Sequence, residues 1–229
     1  MDIFDILGPI MVGPSSSHTA GAARIGKMGR TLLGEKPVKA AIHLHGSFAE
    51  TGKGHGTDRA IIGGLLGMKP DDLRLPFSFD EAEKAGLSFT FDTVALRDAH
   101  PNTAVLELVG ENGAVLNMHA CSIGGGAIEV RKLDGIEVNF TGEYNTLVVR
   151  NQDAYGTLAA ITTILSQWRI NVGNMSLCRH KRGGDALMVI ETDQHIRRNQ
   201  LDFISELPGV ISLTYYDKED EDDGIELND

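Results

Sequence analysis

The chain has 229 residues, which is enough for one large domain or two modest ones. Hydrophobic residues make up 41% of it and charged residues 23%, as in ordinary globular proteins. No run of about 18 apolar residues is present, which excludes a membrane-spanning helix. Cys121 and Cys178 are the only two cysteines, and two cysteines cannot by themselves hold an iron–sulfur cluster or a cysteine-based zinc site.

Negative charge is concentrated at the C-terminus. The formal net charge is −11, and residues 217–229 carry −7 of it through eight acidic residues and one lysine, so the other 216 residues carry −4. We predict a disordered acidic tail over 218–229. Because no basic patch is present, nucleic acid is not expected as a partner. The first residues lack the positive charge of a signal peptide, so we expect a cytoplasmic protein with reduced thiols.

The first half of the chain mixes helices and strands in an irregular order. The predicted elements are a short helix Ile3–Leu7, a helix from about Thr19 to Leu33, a strand Val38–His45, a loop Gly46–Asp58, helices Arg59–Leu66 and Asp80–Ala85, and a strand Leu87–Thr93. Four more strands follow, at Ala104–Val109, Ala114–Cys121, Ala127–Leu133 and Ile136–Phe140. Asn-Gly and Asp-Gly pairs between these strands are typical of hairpin turns. We predict an α+β domain over 1–143.

The second half reads more regularly. Its predicted elements are a strand Thr146–Arg150, a helix with Leu158, Ile161, Leu165 and Trp168 on one face, strands Ile170–Cys178 and Ala186–Thr192, a helix Arg197–Leu207 and a strand Val210–Tyr216. The order strand-helix-strand-strand-helix-strand is typical of a ferredoxin-like domain, which we predict over 144–217.

The segment Gly13–Gly21, GPSSSHTAG, places three serines, His18 and Thr19 just before a helix. Free amide groups at a helix start, together with hydroxyls, attract a carboxylate or a phosphate. A single serine would suffice for a helix cap. Three serines and a histidine exceed that need, which favours a functional site.

Three further segments carry polar groups in glycine-rich or turn settings. They are Gly46–Asp58 (GSFAETGKGHGTD) with His55, the turn His100-Pro101-Asn102-Thr103, and Ser122–Gly126 (SIGGG). His18, His55 and His100 titrate near neutral pH and suit acid or base work. Each segment also has a purely structural interpretation as a turn. No histidine pair with carboxylate support is present, so no metal site is predicted in this chain.

The strand-to-helix corner Asn151–Gly156 resembles a site for an α-amino acid. Asp153 suits an ammonium group, while Asn151 and the helix start suit a carboxylate. Asn171, at the start of the next strand, is predicted to face them across the sheet edge. The alternative is that these residues only form turns and caps.

GPSSSHTAG, GSFAETGKGHGTD, HPNT and SIGGG, in this order, resemble the β chain of iron–sulfur-dependent L-serine dehydratases. The second domain resembles an ACT domain, with NQDAYGTLAAI as its ligand turn. The resemblance covers the chain up to about Tyr216. It also implies a first domain similar to the allosteric-substrate-binding domain of some phosphoglycerate dehydrogenases.

The resemblance implies that L-serine is converted to pyruvate and ammonia. It implies a [4Fe–4S] cluster that binds the substrate hydroxyl and is held by cysteines of a separate α chain. Of the matching positions, His18, Ser16, Ser17, His55 and His100 are expected to be catalytic; Ser15, Thr19, Thr57 and Asn102 to bind substrate; and Asn151, Asp153 and Asn171 to bind an effector. Pairing of ACT domains with each other is also expected.

Two other functions stay open at this point. A stand-alone serine sensor would use the second domain alone and would have no need of GPSSSHTAG together with the His/Gly segment. A pure assembly chain would leave the histidines of the first domain dispensable. Whether serine activates or inhibits, and whether threonine is a substrate, does not follow from the sequence.

Overall fold

A computed structural model of the chain describes residues 11–179 and 181–218. It divides the chain into two compact units, Met1–Gly135 (the first unit) and Ile136–Asp229 (the second unit). The division falls before the predicted domain boundary after residue 143. The predicted helix Ile3–Leu7 and all of the predicted acidic tail except Lys218 lie outside the described residues. In the described part, no helix is both long and apolar enough to cross a membrane.

The first unit combines helices with a mixed sheet. Its helices are a π-helical turn Ser16–Ala20 that continues into α1 (Gly21–Leu33), then α2 (Ser47–His55), α3 (Thr57–Leu65), a 3-10 turn Leu75–Phe77 and α4 (Ser78–Ala85). Its strands are β1 (Pro37–Leu44), β2 (Ser88–Thr93), β3 (Thr103–Gly110), β4 (Val115–Gly124) and β5 (Ala127–Leu133). They lie in the order β2-β1-β3-β4-β5, with β1 and β2 parallel and the other neighbours antiparallel.

Helix α1 packs against α3 and against strands β3 and β4. The two helices touch through backbone, because a Cβ on Gly26 would lie 2.1 Å from the carbonyl oxygen of Ile61 and one on Gly64 would lie 2.0 Å from that of Ala23. Ile25, Met28 and Ile61 fill the core below this contact, each at most 1% exposed. The contact therefore positions α1, which directly follows GPSSSHTAG in the chain.

The prediction of a loop over Gly46–Asp58 is wrong. The segment forms α2 and the start of α3, with Gly56 between them at φ 71°. Glycine disfavours a helix by about 1 kcal/mol relative to alanine. Phe48 offsets this cost, because its side chain is fully buried and such burial is worth about 1.5–3 kcal/mol. Tertiary packing thus overrides the local preference.

The second unit begins with β6 (Ile136–Phe140) and continues with β7 (Asn145–Gln152), α5 (Thr157–Gln167), β8 (Val172–Arg179), β9 (Asp185–Thr192), α6 (Arg198–Ser205) and β10 (Val210–Tyr216). From β7 onward the elements follow the predicted order. Four strands form an antiparallel sheet in the order β10-β7-β9-β8. Leu147, Val149, Met188 and Ile190 of the sheet pack with Ile161, Leu165 and Ile204 of the helices to form its core.

Candidate active site

The His18 ring lies in the π-helical turn that precedes α1. Ser15 caps this turn, since its Oγ accepts a hydrogen bond from the backbone N–H of His18 at 3.3 Å. On the Nδ1 side of the ring lie two hydroxyls, Ser17 Oγ at 3.1 Å and Ser15 Oγ at 3.4 Å. One turn of chain therefore supplies both the imidazole and the hydroxyls that contact it.

Helix α2 supplies the groups on the other side of the ring. His18 Nε2 lies 3.1 Å from Ser47 Oγ and 3.0 Å from Thr51 Oγ1. Phe48 presents its ring edge-on to His18 at 5.2 Å between centroids. The sequence patterns do not single out Ser47 or Thr51, because they predict a loop over this segment. Their spacing of four residues, with Phe48 between them, was the available signal that they share a helix face.

A second histidine ring stands beside the first. The centroids of His18 and His55 are 5.1 Å apart, and Thr19 Oγ1 donates to the backbone carbonyl of His55 at 3.2 Å. Nδ1 of His55 and Oγ1 of Thr57 are buried, and neither has a hydrogen-bond partner among the described residues. The first two motifs thus bring together two imidazoles and free polar atoms.

The pKa of His18 is lowered from its ordinary value of 6.5. Burial is the main cause, because it disfavours the charged ring, and the neighbouring His55 adds to it. A hydrogen bond from the ring to the backbone of Ser47 opposes the shift. The outcome is a ring that is neutral near pH 7 and able to accept a proton.

The third and fourth motifs join the same region. Phe48 N donates to the carbonyl of Pro101 at 3.4 Å, and Ser122 N donates to the carbonyl of Asn102 at 3.0 Å. Ser122 also lies against Gly21, the first residue of α1. Its hydroxyl is fully buried and has no hydrogen-bond partner among the described residues. The four motifs are therefore linked into one closed set of contacts around the start of α1.

His100 and Ser16, which were predicted to be catalytic, are held by other contacts than those of the His18 ring. His100 is exposed, and the hydrogen bonds that it makes stay within its own turn, with Asn102 N at 3.1 Å and Thr103 Oγ1 at 2.7 Å. Ser16 is half-buried, and its backbone carbonyl accepts from Gly21 N. Elsewhere in the first unit, His43 pairs with Asp92 through Nδ1 at 2.5 Å.

The two cysteines belong to different units. Cys121 is buried in β4, where burial raises the pKa of its thiol, and Cys178 is half-buried on β8. Iron–sulfur clusters are held by cysteine thiolates. Within residues 11–179 and 181–218, no group of three or more His, Cys, Asp or Glu side chains is placed to hold a metal ion.

The corner after β7 carries two of the predicted effector residues. Asn151 is buried; its Nδ2 donates to the carbonyl of Gln152 at 2.9 Å, and its Oδ1 has no partner among the described residues. Asp153 accepts from Gly183 N at 2.8 Å and pairs with Arg179. These two contacts lower the pKa of the Asp153 carboxyl. The corner therefore offers a free amide oxygen beside a carboxylate that is already paired.

Asn171 does not face this corner within one chain, and that part of the prediction is wrong. Asn151 pairs with Ala186 on β9, whereas Val172 pairs with Thr192 at the other end of that strand. Six residues of strand separate the two positions, which is about 20 Å. The Asn171 side chain instead donates to Asp193 Oδ2 at 2.6 Å. Strand register, which the sequence does not reveal, decides this separation.

Known proteins resemble the chain over different lengths. A family model described as serine dehydratase beta chain matches residues 2–85. The probable L-serine dehydratase beta chain of Bacillus subtilis is 45% identical over 212 residues, 93% of this chain and 96% of that protein. The L-serine dehydratase beta chain of Peptoniphilus asaccharolyticus is 38% identical over 192 residues, 83% of this chain and 86% of that protein. L-serine dehydratase 2 of Escherichia coli is 44% identical over 77 residues, only 16% of that protein.

Proposed function

The chain belongs to the family of L-serine dehydratase beta chains, and on this premise we propose that its first unit supplies side chains to the active site at which L-serine becomes pyruvate and ammonia. It is one subunit of a lyase, and the beta-chain name implies an alpha chain as its partner. We propose the cytoplasm as its location.

One observation carries the proposed site. The neutral His18 ring lies among four hydroxyls from two different motifs, with His55 at 5.1 Å. Elimination of water from serine, the step that precedes release of ammonia by hydrolysis, requires removal of a proton from the α-carbon. An imidazole that is neutral at pH 7 and bordered by hydroxyls suits such proton transfer, either directly or through Ser17. We therefore assign proton handling to His18.

The substrate carboxylate would bind at the start of α1. The hydroxyls of Ser15, Ser16 and Ser17 stand there, and a helix start favours negative charge. The buried hydroxyls of Thr57 and Ser122, which lack partners among the described residues, are further groups that a polar substrate would satisfy. The contacts of Thr19 and Asn102 link the motifs, so their proposed role is to shape this pocket. His100 is exposed and its hydrogen bonds stay within its own turn, so it is a weaker candidate than His18 for a catalytic residue.

We propose that an iron–sulfur cluster acts in the complete enzyme and that the alpha chain holds it. The residues of this chain do not fit the role of cluster ligands, because its two thiols belong to different units and Cys121 is buried in a strand. When bound, such a cluster supplies a Lewis acid for the leaving hydroxyl. The proposed role of this chain is to bind and orient the substrate beside the cluster and to exchange protons with the substrate.

For the second unit we propose an ACT domain with the ferredoxin-like arrangement, over residues 144–217, that senses an amino acid. The antiparallel order β10-β7-β9-β8 with two helices supports this proposal. The buried, unpartnered Oδ1 of Asn151 supports a ligand at the corner before α5. Asp153 would meet the ammonium group only in competition with Arg179.

Pairing of two second units would add Asn171 to such a site. Within one chain Asn171 and Asn151 stand at opposite ends of β9. Strand β8 is an edge of the sheet and exposes Met175 and Leu177, and an exposed edge strand with apolar side chains is suited to pairing with another chain. We propose this edge as the pairing surface.

Anaerobic co-expression with a cysteine-bearing alpha chain tests the proposal. The two chains should co-purify, and the complex should contain iron and form pyruvate from L-serine, whereas the beta chain alone should be inactive. If the beta chain retains no alpha chain yet binds L-serine alone, it is a serine sensor and the proposed catalytic site is wrong.

A further inference from the structure

The hydroxyl of Thr51 has a backbone acceptor within its own helix. Thr51 Oγ1 donates to the carbonyl oxygen of Ser47, one turn earlier in α2, at 2.8 Å. A threonine hydroxyl has one proton to donate and two lone pairs to accept with. With its proton on the Ser47 carbonyl, Thr51 Oγ1 can only accept a hydrogen bond from any other group.

The other group near Thr51 Oγ1 is Nε2 of His18, at 3.0 Å. If Nε2 carried a lone pair, two lone pairs would face each other at hydrogen-bond distance. If Nε2 carries a proton, Thr51 Oγ1 accepts it, and Ser47 Oγ at 3.1 Å is a second acceptor. A proton on Nε2 satisfies all of these contacts at once, whereas an unprotonated Nε2 would require the Thr51 hydroxyl to give up the Ser47 carbonyl.

We propose that Thr51 is a positioning residue that holds neutral His18 in the Nε2–H tautomer, so that Nδ1 is the nitrogen that accepts a proton. The proposed catalytic role of His18 gives this tautomer its importance for the reaction, and in that respect the inference rests on the proposed function. The tautomer itself follows from the contacts of α2 and can be measured without any activity.

The free nitrogen then faces the serines. Nδ1 lies 3.1 Å from Ser17 Oγ, whereas Ser15 Oγ is farther away at 3.4 Å. Ser17 is therefore the better donor to Nδ1. When Nδ1 takes up a proton, Nε2 keeps its own, and the contacts with Thr51 and Ser47 need not change. The ring can gain and lose a proton at Nδ1 without turning.

The test is the nitrogen spectrum of the ring in the full-length chain labelled with ¹⁵N-histidine. It is recorded at about pH 8, above the ordinary histidine pKa of about 6.5, and His18→Gln identifies the His18 signals. Wild type and Thr51→Ser should show a protonated Nε2 and an unprotonated Nδ1. Thr51→Val should show a mixture of the two tautomers, with the two nitrogen shifts moved towards each other.

Thr162→Val is the matched control. Thr162 makes the same type of bond, from Oγ1 to the carbonyl of Leu158 at 2.9 Å, but on helix α5 of the second unit. This variant should leave the His18 signals unchanged. A wild-type His18 protonated at Nδ1, or a Thr51→Val variant with unaltered His18 shifts, would overturn the inference.

Activity of the complex with the alpha chain separates this inference from the proposed function. If both hold, Thr51→Val should lower kcat by at least about tenfold, a part of the roughly 10²–10⁴-fold that a positioned acid or base contributes, and Thr51→Ser should restore it. If Thr51→Val shifts the tautomer but leaves kcat unchanged, the tautomer assignment stands and the catalytic role of His18 fails.

Discussion

Gly21 and Ser122 are packed so closely that a Cβ atom on Gly21 would lie 2.1 Å from the hydroxyl oxygen of Ser122. Gly21 is the first residue of α1, and Ser122 is a fully buried residue of β4. This single contact joins the first motif to the fourth. It holds the turn with His18 close to the sheet, because any larger residue at position 21 would push the helix start away.

Gly21→Ala should therefore destabilise the chain, although alanine favours helices. The helical gain is at most about 1 kcal/mol, whereas overpacking costs about 1–3 kcal/mol. Rotation of the Ser122 hydroxyl cannot relieve the clash, because a Cβ on Gly21 would still lie 2.7 Å from Ser122 Cβ. Urea unfolding measures the free energy. In the complex with the alpha chain, the same variant should lose activity because His18 moves with the turn.

Gly54→Ala is the matched control on helix α2. A Cβ on Gly54 would meet no atom within 4 Å, so the substitution should stabilise the chain by about 0.5–1 kcal/mol. A Gly21→Ala chain as stable as Gly54→Ala would show that α1 tolerates a displaced start and that the contact with Ser122 does not fix the site.

The sequence predicted most of the elements and the four motifs, but not how the motifs contact one another. Alternation and hairpin turns were sufficient for β3, β4 and β5, since those signals are local. Ser47 and Thr51 were missed because the helix that carries them depends on the burial of Phe48, which is a tertiary effect. Asn171 was misplaced because it depends on strand register. His100 was grouped with His18 by residue type and by the resemblance of its motif, neither of which shows that its hydrogen bonds stay within its own turn.

Stability should fall as the pH drops below about 6.5. The pKa values of His18 and His119 are lowered in the folded chain, chiefly by burial. Between the folded and unfolded pKa values the unfolded chain binds more protons, so stability rises with pH through this window and is fully present above about 6.5. Asp72 and Asp153 do not contribute there, because their pKa values lie below 3.8.

The urea midpoint at about pH 5 and about pH 7.5, on either side of the ordinary histidine pKa, measures this effect. The double variant His18→Gln, His119→Gln should show a smaller difference between the two midpoints than wild type. An equal difference in both proteins would mean that other groups cause the pH dependence and that the two rings are not held neutral by the fold.

The cysteines of this chain should be dispensable for the cluster. Cys121→Ala, Cys178→Ala should assemble with the alpha chain and retain the iron and acid-labile sulfide content of the wild-type complex. Circular dichroism checks that the doubly substituted chain is folded, since Cys121 is buried. A folded, assembled complex that lacks iron would contradict the proposal that the alpha chain alone supplies the ligands.

The second unit should bind L-serine through Asn151. Calorimetry on the full-length chain should show binding that Asn151→Ala weakens by about tenfold or more, because a hydrogen bond to a charged group is worth about 1.5–3 kcal/mol. Asn112→Ala, in an exposed turn of the first unit, is the control and should bind as wild type does. Equal affinity in Asn151→Ala would remove the corner after β7 as the effector site.

The role of His18 is tested most directly by the turnover of L-serine in a complex that contains the His18→Gln beta chain in place of the wild-type chain. His43→Gln, whose ring pairs with Asp92 away from the site, serves as the control. His18→Gln should assemble normally and form pyruvate at least about 100-fold more slowly than wild type, while His43→Gln should retain its activity. A His18→Gln complex as active as wild type would contradict the assignment of proton handling to His18.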